Sequence, residues 1–189
     1  MRRDDLGLLV FLGALGAWIY LNRTKVGGAV ESAAESAQAV VMGWATVNEG
    51  PVWVPVINQT ESAYGIPANL LARQAYQESR FRADVIDGTT ASPAGALGIL
   101  QLMPQYFSTV QVPTPFTAAD TTSQITQAAQ QMVALYNQFR DWGLALAGYN
   151  DGAGNVNAYL AGNRALPAET QQYVSEILAD VPLPSALTV

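Results

Sequence analysis

Glu78 is the side chain with the clearest chemical promise in the 189-residue sequence. It lies in the run Leu70-Leu71-Ala72-Arg73-Gln74-Ala75-Tyr76-Gln77-Glu78-Ser79-Arg80-Phe81. Helical neighbours sit three or four residues apart, which puts Glu78 in line with Leu71, Gln74 and Ala75 on the apolar side. Arg73, Gln77 and Arg80 take the wet side. A carboxylate among apolar groups keeps its proton to higher pH, because desolvation penalises the charged form. Such a group can act as a general acid near neutral pH. The plain alternative is a helix-end glutamate in solvent or a buried structural ion pair. The chain has no histidine and no cysteine. That removes Ser-His-Asp and Cys-His catalysis, His-containing zinc sites and disulfides. Chemistry is left to carboxylates, hydroxyls, amides, Tyr, Lys and Arg, and nothing calls for a metal or an organic cofactor.

The elements that must position these groups read as helices. Pro55 can start a helix that Gly65 ends, and Pro67 opens the Glu78 helix. Arg82 to Ala91 suits turns or a small β-hairpin, with Val85-Ile86 its strand-like pair. Ser92-Pro93 and Gly95 bend the chain into the apolar 98–103 segment, and Pro104 begins a short helix. Thr121 to Arg140 carries Ile125, Ala128, Ala129, Met132, Val133, Tyr136 and Phe139 at helical steps, a core stripe. Trp142 to Tyr149 is apolar enough to be buried all round. A Gly-rich loop follows at Asn150-Asp151-Gly152-Ala153-Gly154-Asn155. No Gly-Lys-Ser/Thr follows it, so it is not a phosphate-binding loop. A brief helix spans Val156 to Leu160, and the last helix opens at Leu166-Pro167-Ala168-Glu169.

Four segments together resemble one family, the soluble lytic transglycosylases. Glu78-Ser79-Arg80-Phe81 is similar to its catalytic Glu-Ser motif. Ser92-Pro93-Ala94-Gly95-Ala96-Leu97-Gly98-Ile99-Leu100-Gln101-Leu102-Met103-Pro104 is similar to the second motif, usually Gly-Leu-Met-Gln-Ile/Leu-Met-Pro. Ala147-Gly148-Tyr149-Asn150-Asp151-Gly152 resembles Ala-Tyr-Asn-Ala-Gly. Glu169-Thr170-Gln171-Gln172-Tyr173-Val174 resembles Glu-Thr-x-x-Tyr-Val. The resemblance covers about residues 51–181. It implies a mainly α, goose-type lysozyme-like fold with a small β element in the cleft. It implies cleavage of peptidoglycan glycan strands between N-acetylmuramic acid and N-acetylglucosamine, with Glu78 as the single acid/base and a 1,6-anhydro end as product. Glycosidases normally use two carboxylates, but substrate-assisted exceptions exist, and an internal hydroxyl replaces water at high effective molarity.

The resemblance also implies substrate-binding residues. Ser92 would hydrogen-bond the sugar, or be a turn serine. Gln101 offers a donor and an acceptor suited to an N-acetyl group, or is satisfied by backbone. Met103 would be an apolar floor or core. Tyr149 and Asn150 sit at a helix end, where Tyr149 could orient Glu78 or be a core tyrosine; Tyr173 could reach the cleft. Ser79 and Glu169 read as structural. Gly148 and Asp151 stand where the family has alanines. If Asp84, Asp87 or Asp151 faced Glu78 across the cleft, a water-using lysozyme mechanism would become available.

Charge and hydropathy set the organisation. Residues 1–30 carry four basic and two acidic side chains, and residues 31–189 carry five and thirteen. An acidic main region without a basic run argues against nucleic acid. Leu6 to Leu21 is apolar, followed by Arg23 and Lys25. As a helix it would span about 24 Å, a little under the ~30 Å hydrocarbon core. Trp18, Tyr20 and snorkelling basic residues extend its reach. A cleaved signal peptide is the competing reading. The expected layout is a membrane anchor at 1–26, a helical stalk or linker at 27–50 and a catalytic domain at 51–189. The catalytic domain would face the periplasm and cell wall, in a phage virion or injection apparatus or in a secretion or pilus system. A hydrolysing lysozyme and a non-catalytic wall-binding protein of an envelope-spanning assembly are the alternatives.

Overall fold

The computed structural model describes residues 42–106 and 114–187, all within the unit Val41–Val189. The expected anchor at residues 6–21, and most of the expected stalk, lie outside the described residues. Among the described residues, no helix is long and apolar enough to cross a membrane.

The chain opens with a 3-10 turn, Gly43–Thr46, followed by α1, Gly50–Tyr64. Trp44 on the turn is buried against the same core as the helices. Pro51 occupies the first turn of α1, and Pro55 lies inside the helix instead of starting it. The first turn has no intrahelical acceptors for its N–H groups, so a proline is tolerated there. Gly65 ends α1 in the left-handed conformation, as its position after the periodic run predicts.

Helix α2, Leu70–Ser79, carries Glu78 in its last turn. Its N-cap, Asn69, makes no side-chain capping bond. Glu61 of α1 does the capping instead, accepting the N–H groups of Asn69 at 2.7 Å and Ala72 at 2.9 Å. The far end closes at Arg80, whose N–H bonds the Tyr76 carbonyl.

No strand occurs among the described residues. Val85 and Ile86, the expected strand pair, belong to a one-turn helix α3, Ala83–Ile86. Local side-chain bonds favour the turn: Asp87 accepts the N–H of Thr89 at 2.9 Å, and Thr89 Oγ1 donates to the Asp84 carbonyl at 3.0 Å. What remains of the expected β element is a single antiparallel bridge, Leu97 to Leu102. A 3-10 turn, Pro104–Tyr106, follows.

Helix α4, Ala118–Phe139, starts at a capping box between Thr117 and Asp120. Its stripe of Ile125, Ala128, Ala129 and Met132 is fully buried. Helix α5, Trp142–Asp151, is capped by Asp141 and buried from Gly143 through Gly148. It packs against α4, α6 (Ala153–Leu160) and α7 (Ala168–Asp180). Gly148 suits that packing, because a Cβ there would lie 2.9 Å from Leu135 Cδ2 and 3.1 Å from Phe139 Cε2 of α4, and those side chains would have to shift. Helix α7 lies against both α2 and α5, so the last helix closes over the one that carries Glu78.

Candidate active site

Glu78 is half-buried in the last turn of α2. Leu71, Gln74 and Ala75, its neighbours on that face, are fully buried. Desolvation lifts its pKa from 4.5 to about 7, against the opposing pull of a hydrogen bond from Tyr173. The Tyr173 hydroxyl donates to Glu78 Oε1 at 2.6 Å. Burial and the nearby Glu78 charge hold the Tyr173 and Tyr149 hydroxyls well above their ordinary pKa, so both remain donors. Glu78 is therefore a carboxyl poised between its two protonation states near neutral pH, with a permanent donor on one oxygen.

Tyr149 is close enough to Glu78 to feel its charge, but its hydroxyl donates to the Leu100 carbonyl at 2.8 Å. That bond ties α5 to the 98–103 turn. The tyrosine that contacts Glu78 is Tyr173, reached from 95 residues further along the chain. The next residue after Tyr149, Asn150, is exposed and accepts the Thr170 hydroxyl through Oδ1 at 2.8 Å.

The second motif forms a tight turn beside these helices. Ser92 Oγ accepts the N–H of Ala96 at 3.0 Å, and the Ser92 N–H donates to the Ala96 carbonyl at 2.9 Å. Its hydroxyl proton is left to point elsewhere. Gln101 adopts a positive φ of 47° and donates through Nε2 to the Gly98 carbonyl at 2.9 Å. Gly98 has a φ of 82°, and a Cβ there would overlap the Gln124 side chain at 1.7 Å. Only glycine allows α4 to approach this turn so closely. Met103 is half-buried just past the Leu97–Leu102 bridge.

The three other candidate carboxylates are each engaged by their own partners. Asp84 takes a two-point contact from Arg82, at 3.1 and 2.6 Å, and a third bond from Thr90 at 2.8 Å. These bonds lower its pKa. Asp87 accepts both the N–H and the hydroxyl of Thr89. Asp151 pairs with Arg164 at 3.2 Å and accepts Asn155 Nδ2 at 3.1 Å.

The profile of the transglycosylase SLT domain family matches residues 55–172, well over half of the chain. This chain belongs to that family. The match includes Glu78, the second motif and the Tyr149–Asn150 segment, and ends one residue short of Tyr173. The fold is also that of solved lytic transglycosylases. The 70 kDa soluble lytic transglycosylase of Escherichia coli matches with a TM-score of 0.53 at 24% identity, over 69% of this chain and 25% of its own. An inactive mutant of lytic transglycosylase Slt from Pseudomonas aeruginosa matches with a TM-score of 0.52 at 25% identity, over 67% and 22%. A 70 kDa soluble lytic transglycosylase in complex with bulgecin A gives 0.54 at 25%, over 69% and 25%. The chain thus spans about a quarter of the length of these enzymes.

Two further polar residues at the site have roles that the sequence does not assign. Gln74, one turn before Glu78, is fully buried and faces the Tyr173 hydroxyl without a hydrogen bond of full geometry. Thr170 holds Asn150. Gln74 shares the Glu78 face and Thr170 lies in the Glu-Thr-x-x-Tyr-Val segment, but the contacts that give them roles are long-range. Glu61 is a second buried carboxyl, also raised to about 7 by desolvation. Its spacing from Glu78 gives no hint of its capping role.

Proposed function

We propose that this chain is a peptidoglycan lytic transglycosylase, with Glu78 as its sole acid/base. The observation that carries the reading is the Glu78–Tyr173 pair: a desolvated carboxyl, its pKa near 7, held by one short hydrogen bond. Protonated Glu78 donates its proton to the glycosidic oxygen between N-acetylmuramic acid and N-acetylglucosamine. The C1–O bond breaks, and the electron pair leaves with that oxygen. The neighbouring N-acetyl carbonyl stabilises the cationic C1. The Glu78 carboxylate, steadied by Tyr173, then takes the proton from the muramoyl C6 hydroxyl as that oxygen bonds C1. The acid is restored and no water is consumed. Ser92, Gln101, Met103 and Asn150 would line the sugar sites, and Tyr149 would lend polarity beside the carboxyl.

A single-carboxylate mechanism is favoured over a hydrolysing lysozyme because Asp84, Asp87 and Asp151 each have local partners. The setting that suits a short apolar N-terminal run is a membrane-anchored domain on the wall side, opening peptidoglycan for a phage injection or envelope-spanning secretion apparatus. The test is digestion of purified peptidoglycan by the full chain in detergent, with Glu78→Gln alongside, and mass spectrometry of the released muropeptides. Products one water lighter than reducing-end muropeptides, absent with Glu78→Gln, are expected. Reducing ends would mean a lysozyme, and no release by folded protein would mean a wall-binding scaffold.

A further inference from the structure

Behind the Glu78–Tyr173 contact, α2 and α7 are joined by a second row of polar contacts. Arg73 sits on the α2 face that the helical pattern assigns to solvent, yet its side chain is only 6% exposed. It reaches Asp180 through Nε at 2.5 Å and the Glu176 carbonyl through Nη2 at 3.2 Å. Its Nη1 donates to Gln77 Oε1 at 2.8 Å. Gln77 in turn donates to Glu176 Oε2 at 2.8 Å, while Gln172 donates to Glu176 Oε1 at 2.7 Å.

The order of these pairs gives the register of the two helices. Glu78 meets Tyr173, Gln77 meets Glu176, and Arg73 meets Glu176 and Asp180. As α2 is read backwards, α7 is read forwards, so the helices run antiparallel with both rows in step. Residues 173, 176 and 180 are spaced by three and four on α7, and share one face. A slide of α7 along α2 would break all of these bonds together. The arginine adds rigidity, since its planar fork binds three acceptors on two helices at once.

We infer that the Arg73–Gln77–Glu176–Asp180 ladder is a positioning device that holds the Tyr173 hydroxyl on Glu78. None of the four residues touches the reacting carboxyl; each acts through Tyr173. The inference rests on the reading of Glu78 as the acid/base. Burying Arg73 requires its partners, because an unpaired buried charge is costly. Gln77 is half-buried and uncharged, so Gln77→Ala carries the least risk to folding; Asp180→Ala leaves Arg73 with neutral partners alone, so its melting temperature is measured beside its turnover.

The test is a double-mutant cycle. Asp180→Ala and Gln77→Ala are each made in the wild-type and Tyr173→Phe backgrounds. Glycan turnover is measured, and the Glu78 titration is followed by 13C NMR of labelled glutamate carboxyls, assigned with Glu78→Gln. Among the titratable groups, Tyr173 and Tyr149 face Glu78. In the wild-type background, each ladder variant is expected to lower kcat by about tenfold, the scale of a small misplacement of catalytic groups, with KM within about twofold. The Glu78 titration should move upward, toward its position in Tyr173→Phe. In the Tyr173→Phe background, both effects should vanish. Ladder variants that melt earlier but titrate and turn over like wild type would overturn the inference. So would equal losses in both backgrounds, or a Glu78 pKa that falls toward the ordinary carboxylate value. The titration needs no substrate. An upward shift in a protein that makes no anhydro product would leave the ladder standing and remove the catalytic reading instead.

Discussion

Replacing Glu78 with glutamine should make the folded protein more stable at alkaline pH and leave it unchanged at acid pH. The Glu78 carboxyl has a pKa near 7 when folded and about 4.5 when the chain is open. A carboxyl whose folded pKa is raised binds its proton more tightly in the native state. Its contribution to stability is therefore complete below pH 4.5 and is lost as the pH rises through about 7. The shift corresponds to about 3 kcal/mol at about 1.4 kcal/mol per unit. Glu78 keeps some contact with solvent, which lowers the expected figure to about 2 kcal/mol. Glutamine has the same shape, carries no charge at any pH, and can still accept the Tyr173 hydroxyl. Urea unfolding of wild type and Glu78→Gln at about pH 4.5 and pH 8 measures the difference. The variant should unfold at a higher urea concentration at pH 8 and at the same concentration near pH 4.5. Wild type should lose more stability than the variant across that interval, while Glu61 keeps a residual slope in both. Equal stabilities at both pH values would show that Glu78 is not desolvated, and would refute the basis for its action as an acid near neutrality.

Glu61→Ala removes the acceptor of the Asn69 and Ala72 N–H groups; at about pH 5 this should cost about 2–4 kcal/mol, read from the urea midpoint. The cost should be smaller at pH 8, because the substitution also removes a buried charge. Gly148→Ala restores the residue usual in the family, yet its Cβ would press on Leu135 and Phe139. It should destabilise by about 1–2 kcal/mol, with a lowered Tm and an unchanged pH dependence.

The sequence by itself determined the longer helices, and it placed Glu78 in line with Leu71, Gln74 and Ala75 on one helix face. These are local matters, decided by periods of three and four residues and by helix ends such as Gly65. It also restricted the chemistry, because a chain without histidine or cysteine leaves few acids and bases to choose among. Tertiary structure alone decided which tyrosine reaches the carboxyl. Tyr149 and Tyr173 both lie in family-like motifs, and the crossing of α2 by α7 gives the contact to Tyr173. The same crossing buries Arg73, whose position on α2 predicts exposure. Helical periodicity tells which side of a helix is apolar, but not whether another helix will cover its polar side. Glu61 caps α2 from a different helix for a related reason: a carboxylate competes for any unpaired N–H within reach, and only the packed fold brings the two together. Val85 and Ile86 have strand-forming side chains, yet they have no neighbouring strand to pair with and are folded into a turn by Asp84 and Asp87.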